Sequence, residues 1–457
     1  MPGGVIQLLA WGSQNIYLNG NPSITFFKKV FQTHTNFSME SIRLNLNRTD
    51  ALVYDNTILK AKLDRVGDLV QQIYLVFELP DIISTEEISF RWVDNVGETI
   101  IQDYQITIGG NVVDRQYGEF LHCMNSLSLG VDRREVYDKM IGNVPELTKP
   151  MLFDPAIPDG HNGLILANYP ASQDARTLVS IRGRKVYVPL RFWFNKEPGC
   201  ALPLVALQYS EAEISITLRP ITHIYKVLTM QDGLPQYRGP EPNNPDHKLS
   251  NFVSNEFATY ITNESTIDLK SYLEVNYIYL DTLERKYLAY NPVQYLVEQT
   301  YRIENYGLDE NATIDLYLQN PIKEFVWFCR RSDANITNGW TDFLDIDKRH
   351  AMIGAKFSFN GLDRIDEKDA YYYNYVQPFQ HHRGCAKDGV YLYSFSINAE
   401  DFQPSGSVNA SRINKMQMFI RTRLPLEPTY KYSLTLYAIS YNLLKVSSGL
   451  AAVAYSS

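Results

Sequence analysis

The sequence predicts an all-β protein with two β-sandwich domains, and three observations support this fold class. The 457 residues exceed the length at which a single hydrophobic core usually stops growing. Aromatic residues, which favour strands, make up 13% of the chain, including 32 tyrosines and 21 phenylalanines. Alternation of apolar and polar residues with a period of two recurs in both halves of the chain, as expected for strands with one buried face.

The alternating segments place the predicted strands. The clearest strand covers residues 69–79, and the same pattern predicts strands at 214–218 and 314–318. In the first of these strands the residues predicted to share one face are Leu69, Gln71, Ile73, Leu75, Phe77 and Leu79. The run ITIGGNVV at 106–113 has two glycines followed by an asparagine, which tolerate the positive φ of a tight turn. An antiparallel hairpin is therefore predicted there.

Helical patterns are scarce and short. We predict helices at 117–129 and 132–141, as insertions between strands, and a short amphipathic stretch at 5–11. Proline- and glycine-rich loops are predicted at 142–163 and 233–247, because proline removes donors that a sheet ladder needs. Residues 142–163 and 331–350 are predicted to be exposed excursions.

The domain division follows from the proline-rich loop. We assign residues 1–24 to an N-terminal segment, 25–222 to the first sandwich, 223–248 to a linker and 249–457 to the second sandwich. Residues 203–220 and 425–444 each begin with proline and leucine and continue into a long alternating strand. This weak similarity suggests that the two sandwiches are repeats of one architecture.

Composition disfavours several classes of protein. With 43 basic and 51 acidic residues the net charge is -8, and no segment concentrates lysine and arginine as a phosphate-backbone site would. Direct binding of nucleic acid is therefore not expected. The cysteines Cys123, Cys200, Cys329 and Cys385 are widely spaced, which favours reduced thiols over disulfides or a zinc site. We find neither a signal-peptide pattern nor an apolar run long enough for a membrane span.

Ordered motifs over nearly the whole chain resemble one known family, the major capsid proteins of nucleocytoplasmic large DNA viruses. The N-terminal motif is NGNPSITFFKKVFQTHTNFSMESI at 19–42, and FWFNKEPGCALPLVALQY follows at 192–209. The later motifs are YVQPFQHH at 375–382, GVYLYSFSI at 389–397, QPSGSVNASRI at 403–413 and YAISYNLLKVSSGLAAVAY at 437–455.

The resemblance implies a double jelly roll, which means two consecutive eight-stranded sandwiches with short helices in their loops. It also implies a homotrimeric capsomer with a nearly hexagonal outline, because three chains with two similar domains each place six sandwiches around one axis. The implied partners are neighbouring capsomers, minor capsid proteins and an internal virion membrane. Residues 1–24 would lie at the capsomer base. The implied location is the virion capsid, assembled in the host cytoplasm, and the resemblance implies no enzymatic activity and no cofactor.

Several residue groups could carry chemistry, and for each we favour a structural role. His381, His382 and Cys385 are potential metal ligands but too few for a closed zinc site, so local hydrogen bonding is the preferred interpretation. His122 and Cys123 resemble a base and thiol, but adjacent side chains on a helix point in different directions.

Carboxylates offer two further candidates. Asp342, Asp345 and Asp347 could bind a hard cation, yet the run lacks the glycine and the terminal glutamate of an EF-hand loop. Glu298 could belong to a glycosidase pair, but no partner stands out. Acceptor motifs for N-glycosylation occur at Asn36, Asn47, Asn263, Asn311, Asn335 and Asn409. We predict no catalytic, cofactor-binding or metal-binding residue.

Two alternative functions remain open at this point. A carbohydrate-binding or carbohydrate-active β-sandwich protein would use the same fold class, and a monomer or dimer with affinity for glycans would support it. A minor capsid or vertex protein is the second alternative, although a single jelly roll needs only about half of this length.

Overall fold

The computed structural model describes residues 2–47, 55–82, 89–148, 181–231, 234–241, 243–253, 261–263, 266–267, 269–425 and 430–455. The chain separates into two units, Met1–Phe37 and Ser38–Ser457. In the first unit none of the described residues is buried, and it contains the helices α1 (Gly3–Leu9) and α2 (Ile16–Asn19). The sheets of the described residues lie in the second unit, except that β1 begins at Phe37.

Strands dominate the second unit. The strands up to the middle of the chain are β1 (Phe37–Asn45), β2 (Thr57–Lys62), β3 (Leu69–Leu79), β4 (Phe90–Trp92), β5 (Ile101–Ile108), β6 (Asn111–Tyr117), β7 (Arg184–Pro189), β8 (Leu202–Pro203), β9 (Ala212–Leu218), β10 (Tyr225–Gln231), β11 (Leu234–Arg238), β12 (Ile261–Asn263), β13 (Thr266–Ile267) and β14 (Tyr272–Leu280). Those that follow are β15 (Val293–Leu308), β16 (Asn311–Asp315), β17 (Pro321–Arg331), β18 (Met352–Phe359), β19 (Leu362–Asp369), β20 (Val390–Ser394), β21 (Val408–Asn409), β22 (Met416–Thr422), β23 (Tyr432–Ser447) and β24 (Leu450–Val453).

The helices of the second unit are short and lie between strands. They are α3 (Val96–Thr99), α4 (Gly118–Ser128), α5 (Val131–Met140), α6 (Pro145–Thr148), α7 (Trp193–Lys196), α8 (Thr282–Tyr290), α9 (Ala334–Thr337) and α10 (Gln377–His381), with a π-helical turn at Tyr372–Val376. The predicted helices at 117–129 and 132–141 are confirmed as α4 and α5, and the predicted stretch at 5–11 overlaps α1.

Eight strands form a two-sheet sandwich in the N-terminal half, and eight more do so in the C-terminal half. The first sandwich has the sheets β1-β14-β3-β7 and β2-β9-β5-β6, and the second has β15-β23-β17-β20 and β16-β22-β18-β19. Counted along the chain within each sandwich, both have the strand orders 1-8-3-6 and 2-7-4-5. The two halves are therefore the same jelly roll, and the predicted double jelly roll is confirmed. The smaller sheets are β11-β10-β4 and β12-β13.

The local predictions for strands agree closely with the structure. The strand predicted at 69–79 is β3, and residues 214–218 lie in β9. The hairpin at 106–113 is formed by β5 and β6, whose ends pair Ile108 with Asn111. Gly109 and Gly110 supply the turn with φ of 59° and 83°. These values require glycine or a similarly permissive residue, which explains why GGN occurs at this position.

The strand predicted at 314–318 is shorter than expected. It ends at Asp315, although Leu316 and Leu318 remain buried and the Leu316 amide donates to the Met416 carbonyl at 2.8 Å. The predicted loop at 233–247 also differs from the structure, because it contains β11. That strand includes Pro235 and tolerates it because β11 lies at the edge of its sheet, where a missing donor breaks no ladder.

The prediction that residues 331–350 form an exposed excursion is only partly correct, because residues 346–349 are exposed but others in the segment are buried. Trp340 and Phe343 are buried there, at 6% and 1% exposure. The Trp340 indole donates to the His223 carbonyl at 3.0 Å, so the segment packs against the N-terminal half. Apolar residues in a loop are better buried than solvated, and the loop prediction gave this too little weight. Of the second predicted excursion, 142–163, residues 149–163 lie outside the described residues.

The eighth strand of the first jelly roll comes late in the sequence. β14 pairs with β3 in antiparallel register, with Leu273 opposite Leu75 and Val275 opposite Ile73. It lies beyond residue 249, where the sequence analysis begins the second sandwich. The predicted linker, 223–248, contains β10 and β11 and contributes Tyr225 to the core of the N-terminal half.

Candidate functional site

The junction between the two jelly rolls is the most elaborate part of the structure, and helix α4 lies at its centre. The sequence predicted α4 only as an insertion between strands. Its buried side chains form one core with residues of the second jelly roll; this core contains Phe120, Cys123, Met124, Leu127, Val326, Phe328, Phe343, Val390, Leu392, Tyr437 and Ile439. Burial of the apolar surface of α4 against the sheet that contains β17, β20 and β23 fixes the two jelly rolls to each other.

Backbone groups also connect the two jelly rolls. The Gln299 side chain in β15 donates to the Val113 carbonyl in β6 at 2.7 Å. The Gly384 amide donates to the Leu127 carbonyl at the end of α4, also at 2.7 Å. Buried carbonyls without partners would cost free energy, so these bonds satisfy one carbonyl of strand β6 and one at the C-terminal end of helix α4.

Glu298 lies between two lysines at this junction. Lys323 of β17 donates to Glu298 at 2.5 Å, and Lys196 of α7 in the first jelly roll forms an ion pair with the same carboxylate. The Lys323 side chain is 2% exposed and that of Glu298 is 19% exposed. Glu298 is therefore the link in a chain of charges across the junction, and the structure gives it a structural partner set rather than a second catalytic carboxylate.

The pKa shifts at these residues follow from burial and opposite charge. Burial alone would raise the pKa of Glu298, but the charges of Lys196 and Lys323 outweigh it and hold this pKa well below its usual range. Burial would lower the pKa of Lys323, yet the carboxylates of Glu298 and Glu324 raise it. Burial prevails at Lys196 and lowers its pKa. Opposite charges thus keep Glu298 and Lys323 ionised where burial would neutralise them.

His382 continues this charge chain in the second jelly roll. Its Nε2 lies 2.8 Å from Glu324 and its Nδ1 lies 3.2 Å from Glu400, with the imidazole side chain fully buried. Burial would lower the pKa of His382, but the charge of Glu324 and hydrogen bonds to both carboxylates raise it to about 9. A doubly protonated ring that donates to both acids satisfies this geometry.

Of the two histidines in the HHRGC segment, only His381 makes the kind of local hydrogen bond that was predicted. His381 does contact a nearby loop, with Nδ1 2.9 Å from the Ile397 carbonyl. His382 instead reaches across the sheet to Glu324 of β17, and Cys385 is exposed. In the part of the chain that the structure describes, no group of three or more histidine, cysteine, aspartate or glutamate side chains is arranged so that it could hold a metal ion.

His122 has a buried acidic partner that the sequence analysis missed. Its Nδ1 lies 2.6 Å from Glu98 of α3, and the same carboxylate accepts hydrogen bonds from Tyr137 and Asn125 at 2.5 and 3.1 Å. Burial lowers the pKa of His122, so the neutral ring donates from Nδ1 to the Glu98 carboxylate. Burial raises the pKa of the neighbouring Cys123 thiol well above its usual range, which argues against a reactive thiolate.

The three aspartates of the 342–347 run each have a protein partner. Asp345 is buried and accepts from the Tyr430 hydroxyl at 2.5 Å, while Asp342 pairs with Lys348 and Asp347 with Arg349. Asp342 and Asp347 therefore neutralise cations of their own loop, and Asp345 binds a tyrosine from another segment, so the three carboxylates serve separate partners. Of the six glycosylation motifs, the asparagines are exposed at Asn36, Asn47, Asn311, Asn335 and Asn409, and the side chain of Asn263 is outside the described residues.

Gly384 explains the glycine of the HHRGC segment. A Cβ built at this position would lie 2.5 Å from the Leu127 carbonyl oxygen and 2.7 Å from the Ser126 carbonyl oxygen, both in α4. Backbone at that distance cannot move aside as a flexible side chain could. The segment is thus a close backbone contact between the two jelly rolls.

We expect Gly384→Ala to destabilise the junction by about 1–3 kcal/mol, because the added methyl must push the segment away from α4. Urea unfolding at a fixed protein concentration measures this loss. Gly130→Ala is the matched control, since a Cβ there also meets nothing within 4 Å. Equal stability of the two variants would refute a close contact at Gly384.

The sequence analysis missed most of the junction residues, although one signal was present. In β17, Lys323 and Glu324 are adjacent charged residues at the start of a strand that continues as Phe325, Val326 and Trp327. Charged residues directly beside a run of apolar residues in a buried strand indicate buried ion pairs. Their partners, however, come from other strands and loops and are not readable from spacing.

Comparison with known families supports one assignment for each half of the chain. Residues 25–281 match the family model described as the major capsid protein N-terminus. Residues 284–452 match the model of the large eukaryotic DNA virus major capsid protein. Together the two models cover both jelly rolls.

Individual relatives agree with the family models over the full chain. The chain is 30% identical to the major capsid protein of Phaeocystis pouchetii virus and 28% identical to that of Paramecium bursaria Chlorella virus 1, with 100% of each chain covered. It resembles a subunit of the PBCV-1 virus capsid with a TM-score of 0.69 and 25% identity, covering 95% of this chain and 100% of that one. The Faustovirus major capsid protein has the same fold, with a TM-score of 0.70 at 12% identity and coverage of 96% and 94%.

Proposed function

We propose that three copies of this chain form one building block of a virus capsid, because the chain belongs to the family of large eukaryotic DNA virus major capsid proteins and is thus a structural protein of the capsid. The observation that carries this proposal is the identical strand order of the two jelly rolls. A threefold assembly of such chains places six equivalent sandwiches around its axis, which suits a hexagonal lattice. The buried junction supports the proposal, because a rigid link holds both sandwiches in one orientation.

An apolar groove beside helix α8 is a suitable contact between copies. The helix contributes no buried residue, and Leu283 and Tyr287 are 80% and 65% exposed on the same face. The groove has a volume of ≈ 420 Å³ and is also lined by Leu280 and Tyr295. Obligate interfaces are rich in such apolar and aromatic side chains, and leaving them in water is unfavourable.

Light scattering coupled to size exclusion tests the trimer. We expect a mass near three times the 52.5 kDa of one chain for the full-length protein. Replacing Leu283 with glutamate should shift the protein toward monomer, because a charge would be buried at the interface without a partner. Val131→Glu, at an equally exposed position on α5, is the control and should stay trimeric. A monomeric wild-type protein at micromolar concentration would refute the proposal.

The N-terminal unit supports a role in contacts with other virion components. Residues 2–37 contain no acidic side chain, and their exposed apolar residues include Leu8, Leu9, Phe26 and Phe27 at 67–98% exposure. We propose that this unit binds inner components of the virion, namely minor capsid proteins or the internal membrane. Assembly in the host cytoplasm is part of the same proposal, and the four free cysteines are compatible with a reducing compartment.

Strand pairing also favours a different domain division from the predicted one. We propose that the first jelly roll extends through β14 to Leu280 and that the second begins with β15, with α8 as the connection. The two family models meet at residues 281 and 284, which supports this division. We further propose that the protein has no enzymatic activity, because the buried acids and bases at the junction neutralise one another.

A further inference from the structure

A polar cavity lies at the junction, and its lining includes none of the residues Lys196, Glu298 and Lys323. It has a volume of ≈ 330 Å³ and is lined from the first jelly roll by Tyr117 and Arg219 and from the second by Arg302, Arg330 and Trp340. Both jelly rolls are therefore needed to form it. Exposed residues at its rim include Tyr306 and Ser332, so the cavity is open to solvent.

Positive charge exceeds negative charge around this cavity. Three guanidinium groups converge on the buried carboxylate of Glu119: Arg330 and Arg219 lie 2.7 and 2.8 Å from it, and Arg302 lies 3.8 Å from it. Burial would raise the pKa of Glu119, but Arg330 and Arg219 lower it to about 2. The cavity lining also includes Arg331 and Glu304, so four arginines and two glutamates give the lining residues a net charge of +2, which becomes +1 once Asp333, the ion-pair partner of Arg331, is included.

The arginines at this cavity also have unused hydrogen-bonding capacity. The Nε atoms of Arg219, Arg302 and Arg330 are buried and have no hydrogen-bond partner in the described part of the chain. Arg219 is itself only 9% exposed. Buried donors without partners are unusual, because each loses its bonds to water. The acceptors in the described part of the chain therefore do not saturate these three guanidinium groups.

Aromatic rings hold two of these guanidinium groups in place. Arg219 lies over the Trp340 ring at 4.3 Å, and Arg302 lies over the Tyr117 ring at 4.8 Å. Stacking fixes the guanidinium planes before a ligand arrives, which reduces the entropy lost on binding. Planar arginine forks match the oxygen geometry of phosphate groups better than point charges do.

From these observations we propose that the cavity binds a phosphate-type oxyanion. Inorganic phosphate or pyrophosphate fits the available volume and would accept hydrogen bonds from arginines of both jelly rolls. A bound anion would offset the excess positive charge of the arginines around Glu119. It would also connect the two jelly rolls, because it would contact arginines of both. The site is separate from the trimer contacts proposed above, so binding does not depend on them.

Equilibrium dialysis of the full-length protein against labelled inorganic phosphate tests the site, with sodium chloride used to keep the ionic strength constant. We expect saturable binding, and Arg302→Gln should weaken it by about tenfold or more, since a charge-assisted hydrogen bond is lost. Arg421→Gln is the control, because that exposed arginine pairs with Glu367 at 2.8 Å and does not line the cavity. The control should bind phosphate as the wild type does.

A second variant changes binding in the opposite direction. Glu119→Gln removes the internal carboxylate that competes for the arginines, so this variant should bind phosphate more tightly and gain more thermal stability from it than the wild type. General damage to the junction would weaken binding in both variants and would overturn the proposal. Absence of saturable binding by the wild type, or equal binding by Arg302→Gln and Arg421→Gln, would also overturn it. Parallel titrations with pyrophosphate and a nucleoside triphosphate identify which phosphate source binds most tightly.

Discussion

Replacement of Glu298 with glutamine is expected to lower the free energy of unfolding by about 3–5 kcal/mol, the usual cost of breaking a buried ion pair by removing one partner. The carboxylate neutralises Lys323, which is 2% exposed, and also pairs with Lys196 of the other jelly roll. A neutral amide would leave the buried ammonium group of Lys323 without its closest counter-charge. Urea titration of the full-length protein at a fixed concentration measures the loss.

A surface ion pair provides the control for this experiment. Glu213 lies 3.1 Å from Lys60, and both side chains are more than 40% exposed. Glu213→Gln should cost at most about 1 kcal/mol, because water and salt screen exposed charges. If Glu298→Gln were no more damaging than Glu213→Gln, the chain of charges across the junction would not contribute to stability. A second substitution, Lys323→Met in the Glu298→Gln background, should recover part of the loss by removing the unpaired charge.

His382 is expected to make stability depend on pH in the neutral to alkaline range. The pKa of this residue rises from 6.5 to about 9 on folding, so the folded protein holds the proton more tightly than the unfolded chain. The resulting stabilisation is fully present below pH 6.5 and is lost as pH rises through about 9. This difference between the folded and unfolded pKa values corresponds to about 3 kcal/mol.

Urea unfolding of wild type and His382→Gln between pH 6 and 10 measures this contribution. The variant should be less stable by about 3 kcal/mol at pH 6, and the difference should shrink between pH 6.5 and about 9 and be nearly gone above pH 9, where the folded wild-type ring is neutral as well. His381→Gln is the control, because the neighbouring ring contacts the Ile397 carbonyl rather than a carboxylate. A constant difference between wild type and His382→Gln across the whole pH range would contradict a charged His382.

The alternative functions considered from the sequence are resolved by the family assignment. Full-length similarity to major capsid proteins and two complete jelly rolls argue against a single-domain minor capsid protein. The carbohydrate-binding or carbohydrate-active alternative rested on the shared fold class, and Glu298 was the carboxylate considered for a glycosidase pair. The partners of Glu298 are two lysines, which fits a structural tie.

The apparent repeat in the sequence paired two strands that are not equivalent. Residues 203–220 contain β9, the seventh strand of the first jelly roll, whereas residues 425–444 lead into β23, the eighth strand of the second. The true counterpart of β23 is β14, which follows the segment predicted as a linker. The repeat is real, but similar alternation in neighbouring strands placed it one strand too early.

The sequence by itself determined the elements whose signals are local. Alternation located β3 and β9, the GGN turn located the β5–β6 hairpin, and apolar spacing located α4, because each pattern reports which face of a short segment is buried. Ordered motifs along the chain also indicated the family.

Only the tertiary structure decided which distant segments meet. The pairing of β14 with β3, the packing of α4 on the second jelly roll and the contacts of Glu298, His382 and Glu119 all join residues far apart in sequence. A buried charge is tolerable only beside its counter-charge, and spacing along one strand carries no information about a partner on another. For this reason the strands were predictable, while the junction that holds the two jelly rolls together was not.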